Sequence, residues 1–220
     1  MAISTCAAPI KGTHIRIVAL DACGVPVTGA GGTVVVTKGF IQVEMEPEYE
    51  DGTEFFQRTA DGTPCVNQID DPTLKRMQLT VDLCEVNTIA SAYVTSARLL
   101  SDSVTGTGFA VAEGNPTNRF SLEVWQQVAG SGGCDASGTQ RYIYNAWPNV
   151  GATAIGTYTV ENDRSTLQFI SQTRAASSLW DELVGASWLP PGAFVDTDEH
   201  WVWNVTTTPP PVAACDSTTL

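Results

Sequence analysis

Two stretches of the chain alternate strictly between apolar and polar residues. In the first, Ile41, Val43 and Met45 are interleaved with Gln42, Glu44 and Glu46; in the second, Met77, Leu79, Val81 and Leu83 are interleaved with Gln78, Thr80 and Asp82. A period of two sends successive side chains to opposite faces of a strand, so each stretch predicts a strand with one buried and one wet face. The first closes a run that starts near Thr33 and reaches about Glu46; the second spans 76–86. Further strands are expected at 14–20, 120–128, 140–147, 156–161, 166–172 and 200–206. Turns are expected at Asp21-Ala22-Cys23-Gly24, followed by a Gly-rich stretch at 29–32, and at Glu161-Asn162-Asp163-Arg164. Helical spacing stands out at 87–100, where Asn87 is a natural N-cap and Ile89, Ala90, Tyr93, Val94, Ala97 and Leu100 share one side. The reading is mainly β with one helix.

Between the two alternating strands, residues 48–73 break the pattern with Asp51-Gly52, Asp61-Gly62, Thr63-Pro64 and Asp70-Asp71-Pro72. A loop this long is uncommon in a compact domain and is usually functional or mobile. Phe55 and Phe56 lie inside it, which a purely solvated loop does not need. The segment therefore reads as the oversized tip of a hairpin. The last residues, 207–220, contain Pro209-Pro210-Pro211 and read as an extended arm. One β domain over 13–206 with a short N-terminal arm (1–12) and this C-terminal arm accounts for the length.

Composition narrows the function. The net charge is −13, from 24 Asp and Glu against 11 Lys and Arg. That balance excludes a protein that grips nucleic acid through phosphates, because such binding needs clustered basic residues that release counterions. Lysine is confined to Lys11, Lys38 and Lys75, while Thr, Val, Gly, Ser and Pro are abundant, a usage that favours strands and turns over long surface helices. The six cysteines (Cys6, Cys23, Cys65, Cys84, Cys134 and Cys215) form no C-x-x-C pair. The opening residues lack the basic start and apolar core of a signal peptide, so the thiols are expected to be reduced and half-buried in a cytoplasmic product. On the same ground Asn204-Val205-Thr206 is read as a chance sequon. No apolar run approaches the roughly 20 residues of a membrane helix.

Catalytic chemistry finds little support. His14 and His200 are the two histidines. His14 reads as a solvent-facing strand residue. His200 follows Asp196-Thr197-Asp198-Glu199, a set that matches no standard metal spacing and reads as a polar lead-in to a strand. There is no G-x-S-x-G elbow, P-loop, dinucleotide fingerprint or H-E-x-x-H. Trp125, Trp147, Trp180, Trp188, Trp201 and Trp203 fit a carbohydrate cleft, a packed core or a subunit seam equally well. The expectation is a structural protein, not an enzyme, with no cofactor.

Several stretches resemble the major tail tube protein of long, non-contractile-tailed phages, especially those infecting actinobacteria. Residues 14–27, with Leu20-Asp21-Ala22-Cys23-Gly24-Val25-Pro26, are similar to that family's first strand and its Leu-Asp-x-Cys-Gly-x-Pro turn. Cys84-Glu85-Val86 resembles its Cys-Glu-Val segment before a helix; Leu122-Glu123-Val124-Trp125 resembles its Leu-Glu-hydrophobic-Trp strand. Residues 156–161 and the turn after them resemble its Thr-Ile/Val-Glu-Asn-Gly hairpin, with Asp163 at the usual glycine. The resemblance runs through most of 13–175 in the family's order and fades beyond about Thr173.

What the resemblance implies is a β-sandwich or barrel of two packed sheets with a flanking helix. Six copies would form a ring and the rings would stack into the tube through which DNA is ejected into the host. The partners implied are further copies of the chain, the tape measure protein inside the tube, tail terminator and tip proteins, and DNA in transit without specific binding, all in a virion assembled in the host cytoplasm. The 48–73 loop, with Phe55, Phe56, Arg58, Asp70 and Asp71, would reach the neighbouring ring. Gln42, Glu44, Glu46, Gln78, Thr80 and Asp82 would line the bore with acidic and neutral side chains to which DNA does not adhere. Other readings stay open at this level: a tail terminator or head decoration protein, a carbohydrate-binding module, or a hydrolase with an unrecognised carboxylate pair.

Overall fold

In the computed structural model, which describes residues 7–27, 33–102, 106–162, 165–176 and 198–218, the chain is mainly β. Its strands are β1 (Ala8–Leu20), β2 (Val34–Thr37), β3 (Phe40–Glu50), β4 (Glu54–Arg58), β5 (Pro64–Ile69), β6 (Thr73–Leu83), β7 (Arg98–Asp102), β8 (Gly106–Ala110), β9 (Arg119–Ala129), β10 (Tyr142–Val160), β11 (Ser165–Thr173), β12 (Val202–Thr206) and β13 (Ala214–Thr218). One α-helix, α1 (Thr88–Val94), lies between β6 and β7. Nine strands form one antiparallel sheet in the order β13-β2-β1-β9-β10-β11-β6-β3, with β12 on the first half of β10; β4–β5 and β7–β8 are separate hairpins.

The sheet folds over on itself. β2 and β3 lie near opposite ends of that order, yet only Lys38 and Gly39 join them. Thr37 and Phe40 are three residue steps apart, less than about 11 Å, so the two ends of the sheet must come together. The expected single run from Thr33 to Glu46 is thereby split. Gly39 N–H bonds to the Thr37 hydroxyl, and Gly39 C=O accepts from Cys84 and Glu85, which ties this corner to the end of β6. A Cβ on Gly39 would sit 2.1 Å from Glu85 Cβ, so the corner closes only with glycine.

Closure gives two packed layers. Ile15, Phe120, Leu122, Val124, Trp147 and Val150 from one half face Met77, Leu79, Val81, Leu83, Leu167 and Phe169 from the other. Trp147 Nε1 donates to Met45 Sδ across the layers at 3.4 Å. The 19-residue β10 belongs to both: Tyr142–Trp147 pairs with β9, and Val150–Val160 pairs with β11 after a register shift. Pro148 sits at that shift, where a residue without an N–H costs no ladder bond. Sequence patterning suggested two strands, 140–147 and 156–161; bulges rather than a loop join them.

The β2-β1-β9 half is buried on both faces. Its second face carries Val18, Val34 and Val36 beneath Ala213, and Leu20, Trp125, Tyr144 and Ala146 beneath Ala176. Among these apolar groups Arg16 and Glu123 form a buried ion pair, with Tyr144 Oη donating to the same carboxylate oxygen at 2.8 Å and the guanidinium 5.3 Å from the Trp125 ring centre. Burial opposes the Arg16 charge, but the adjacent Glu123 carboxylate outweighs it and holds the guanidinium above its ordinary value. Burial and the Glu123 charge push the Tyr144 phenol well up. His14, on this face, is half-buried and not solvent-facing as expected; desolvation and nearby Lys38 lower its pKa.

Other expectations shift for local reasons. Asn87 caps the helix through Ala90 N–H at 2.9 Å, as its position suggested, but the helix stops at Val94 and not near Leu100. Ser96 takes φ +55°, with Ser96 N–H bonding to Tyr93 C=O and Ala97 N–H to Ala92 C=O, a Schellman ending. The Ser96 hydroxyl accepts from Thr117 and Asn118 N–H groups, which explains a serine where glycine is usual. Ala8–Gly12, expected as part of an arm, extend β1 along β9, and Ala214–Thr218 of the expected C-terminal arm pair with β2. Cys23, Cys65, Cys84 and Cys134 are unbridged and exposed, where half-buried thiols were expected.

Gly39→Ala is expected to cost about 1–3 kcal/mol by forcing the closed corner apart. Gly138→Ala has φ +85° but open space, and should cost about 1 kcal/mol from backbone strain alone. Urea unfolding midpoints check the order; equal shifts would mean the corner is slack. Arg16→Met is expected to cost about 3–5 kcal/mol, because it strands the buried Glu123 charge, whereas replacing both partners with apolar residues should recover most of it.

Candidate functional site

The antiparallel register of β3 and β6 pairs Gln42 with Asp82, Glu44 with Thr80 and Glu46 with Gln78. All six residues singled out from the alternation therefore share one face, turned away from the core. The register continues to Glu48 opposite Arg76, whose Nε and Nη2 bond to the two Glu48 oxygens. On β11, Gln168 pairs with Asp82 and Gln172 with Gln78, and Gln168 Nε2 donates to Asp82 Oδ1 at 2.9 Å. The result is a three-strand band that is polar apart from Ile170, opposite Thr80, with Glu44, Glu46, Glu48 and Asp82 against the single cation Arg76. Gln168 and Gln172 escaped the sequence reading because nothing in their own spacing says which strand lies beside them.

One expected inward residue is not inward. Ile41 is 55% exposed, because the register slips between Phe40 and Gln42 and Phe40 takes the core position. The slip also brings the Phe40 ring against Gly12, where an added Cβ would lie 2.5 Å from it.

Residues 48–73 are not an open loop. β3 continues to Glu50, β6 begins at Thr73, and β4 and β5 form a second hairpin beyond a pinched neck. At the neck Asp70 N–H bonds to Thr53 C=O, and a Cβ on Gly52 would stand 1.7 Å from Asp70 O. At the tip, Thr59 and Thr63 close a turn through Gly62 at φ +88°, and both threonine hydroxyls donate to the Asp61 carboxylate. The Asp21 and Asp135 turns have the same backbone pattern, with Gly24 and Gly138 in the left-handed position.

Alternation along this hairpin places Phe55 and Val66 on one side and Phe56 and Ile69 on the other. These four side chains are 40–63% exposed. Arg58 lies over the Phe56 ring at 5.0 Å, and its Nη1 donates to Gly62 C=O. Asp70 and Asp71 stand at the neck, apart from the phenylalanines. The hairpin thus shows apolar surface on both sides and packs neither side against the domain.

The tryptophans divide. Trp125 and Trp147 are core residues, Trp201 and Trp203 are partly exposed on and beside β12, and Trp180 and Trp188 lie outside the described residues. Trp201 Nε1 donates to Asn145 Oδ1 at 3.3 Å. Asp196 and Thr197 are also outside the described residues. His200 Nδ1 shares a 2.8 Å hydrogen bond with Thr173 Oγ1, which in turn accepts from Met77 N–H.

No protein-family model matches the chain, and no curated protein matches its sequence.

The Thr59 hydroxyl first, then the Thr63 hydroxyl and N–H, hold the Asp61 carboxyl down to about 2 from 3.8. A depressed folded value means that the turn's contribution is complete above pH 3.8 and lost as pH falls through about 2. The Gly62 and Thr63 amide shifts should therefore titrate near pH 2. A midpoint near 3.8 would show that the tip bonds do not persist in solution.

Proposed function

We propose that the chain is a structural subunit that assembles with copies of itself into stacked rings, forming the tail tube of a long, non-contractile-tailed phage. The observation that carries this reading is the β4–β5 hairpin. An isolated two-stranded hairpin is marginal in water, and this one leaves Phe55, Phe56, Val66 and Ile69 uncovered on its two sides. Such a projection gains its stability when a neighbouring copy covers it, which suits a contact between rings. The sequence resemblance supports the same role for this segment.

Two further features support the reading. β3 ends the sheet order with β6 as its one partner among the described strands, so its outer edge is available to a strand of the adjacent subunit. Joining that edge to the far side of the second half of β10 in the next subunit, which pairs only with β11 beyond Val150 among the described strands, would make a continuous barrel of β3–β6–β11–β10 units. The Gln- and Glu-rich face then lines the bore, where Gln42, Glu44, Glu46, Gln78, Thr80 and Asp82 offer phosphates no cation and let DNA slide. The tape measure protein would occupy the same bore before DNA, with terminator and tip proteins at the tube's ends.

Negative-stain electron microscopy of the purified protein over a range of concentrations should show hollow rings or tubes. Phe55→Ser with Val66→Ser should raise the concentration needed for stacking at least tenfold while leaving the β domain folded by circular dichroism. A reconstruction should place Glu44, Glu46 and Asp82 on the bore; finding them outside would end the sliding argument. A chain that stays monomeric and binds a glycan saturably through Trp201 and Trp203 would replace the tube reading with that of a binding module.

A further inference from the structure

Basic residues are scarce in this chain, yet several converge. An open cleft of about 430 Å³ beside the start of β6 is lined by Lys75, Arg76, Gln172, Thr173, Arg174 and His200. They come from three separate segments: β6, the end of β11 with the residue just after it, and the approach to β12. Arg76 is engaged by Glu48, and His200 is held by Thr173. Lys75 and Arg174 are exposed and form no ion pair among the described residues. The side of the cleft formed by β10 includes Ala152, whose φ of +51° marks a bulge where pairing with β11 lapses between Gly151 and Ala154. The fold thus gathers three cations and an imidazole around an open space, in a protein whose net charge is −13.

The complementary feature is the neck of the hairpin. Glu50, Asp51, Glu54, Asp70 and Asp71 are all exposed, and none forms an ion pair among the described residues. Like charges on neighbouring strand positions repel one another, and no ion pair relieves them among the described residues. We infer that the cleft of Lys75, Arg76, Arg174 and His200 receives the acidic neck of a second copy of the chain. This rests on the reading of the protein as a self-assembling subunit and names the contact that sets its register.

The contact is heterologous, since cleft and neck are different patches of the same molecule. Each copy offers one of each, so the contact propagates from copy to copy and does not stop at a dimer. Exposed charge pairs contribute little affinity individually but speed encounter and exclude wrong registers. Its strength falls as salt shortens the screening length from about 10 Å at 0.1 M to about 3 Å at 1 M. The apolar hairpin faces would supply the holding energy and the cleft the alignment.

Charge exchange tests the contact. Lys75→Glu with Arg174→Glu makes the cleft acidic, and Asp70→Lys with Asp71→Lys makes the neck basic. Each double variant alone should need at least tenfold more protein to assemble in low salt, read by sedimentation and electron microscopy, with folding checked by circular dichroism. Mixing the two should restore assembly, because each reversed patch then meets its complement. Should the reversals misfold, Lys75→Gln with Arg174→Gln should show the same loss of assembly. Wild-type tubes with unimpaired cleft variants, or a mixture that fails to co-assemble, would overturn this contact and leave the tube reading standing. A wild-type chain that never self-associates in low or high salt would overturn both.

Discussion

The two-residue junction at Lys38-Gly39 constrains the whole architecture. It joins strands from near opposite ends of a nine-stranded sheet, so the sheet cannot lie open; its ends must come together. That requirement creates the inner core, bends β10 through its bulges so that one strand serves both layers, and leaves Gly39 no room for a side chain. It also fixes which faces are left over. The β3–β6–β11 layer turns a polar face outward, while the β2–β1–β9 layer has its second face covered and can hold an ion pair.

The two outer faces answer different needs. Arg16, Glu123 and Tyr144 sit among Trp125, Leu20 and Ala146, where a charge is tolerated because its counter-charge and a phenol are within hydrogen-bond reach. Such a pair adds little net stability, yet it penalises a shift of β1 against β9, which would leave both ions unpartnered. The β3–β6–β11 face has no such cover. Its residues pair across strands as Gln–Asp, Glu–Thr, Glu–Gln and Glu–Arg, a surface that remains wet and lightly charged. Beyond it the hairpin carries apolar side chains into solvent, and the neck and cleft concentrate charge of opposite sign. The proposed assembly of copies would use all of these features.

The strand content, the helix N-cap at Asn87, the Asp21 turn and the six-residue polar face were legible in the sequence. Each depends on local periodicity or on a side chain bonding to its own backbone, and neither needs distant partners. The 48–73 segment was legible only as turn-rich. Its turns at Asp51-Gly52, Asp61-Gly62 and Asp70-Asp71 were recognised, but the short strands between them expose apolar residues on both sides and so lack a two-period signal. The helix was overextended because Ala97 and Leu100 continue its spacing, whereas the Ser96 hydroxyl, bonded to backbone more than 20 residues away, ends it.

By itself, then, the sequence determined where the alternating strands β3 and β6 run, which of their faces is polar, and that the charge balance is unfit for gripping phosphates. Those are properties of residue order and composition. The tertiary structure decided that Gln168 and Gln172 extend the polar face, that Ile41 turns outward while Phe40 fills the core, and that Arg16 and Glu123 are buried together. It also decided that Lys75, Arg174 and His200 share a cleft. Each of these depends on strand pairing and register, and a register is set by the summed burial of a whole sheet, which no local stretch of the chain contains.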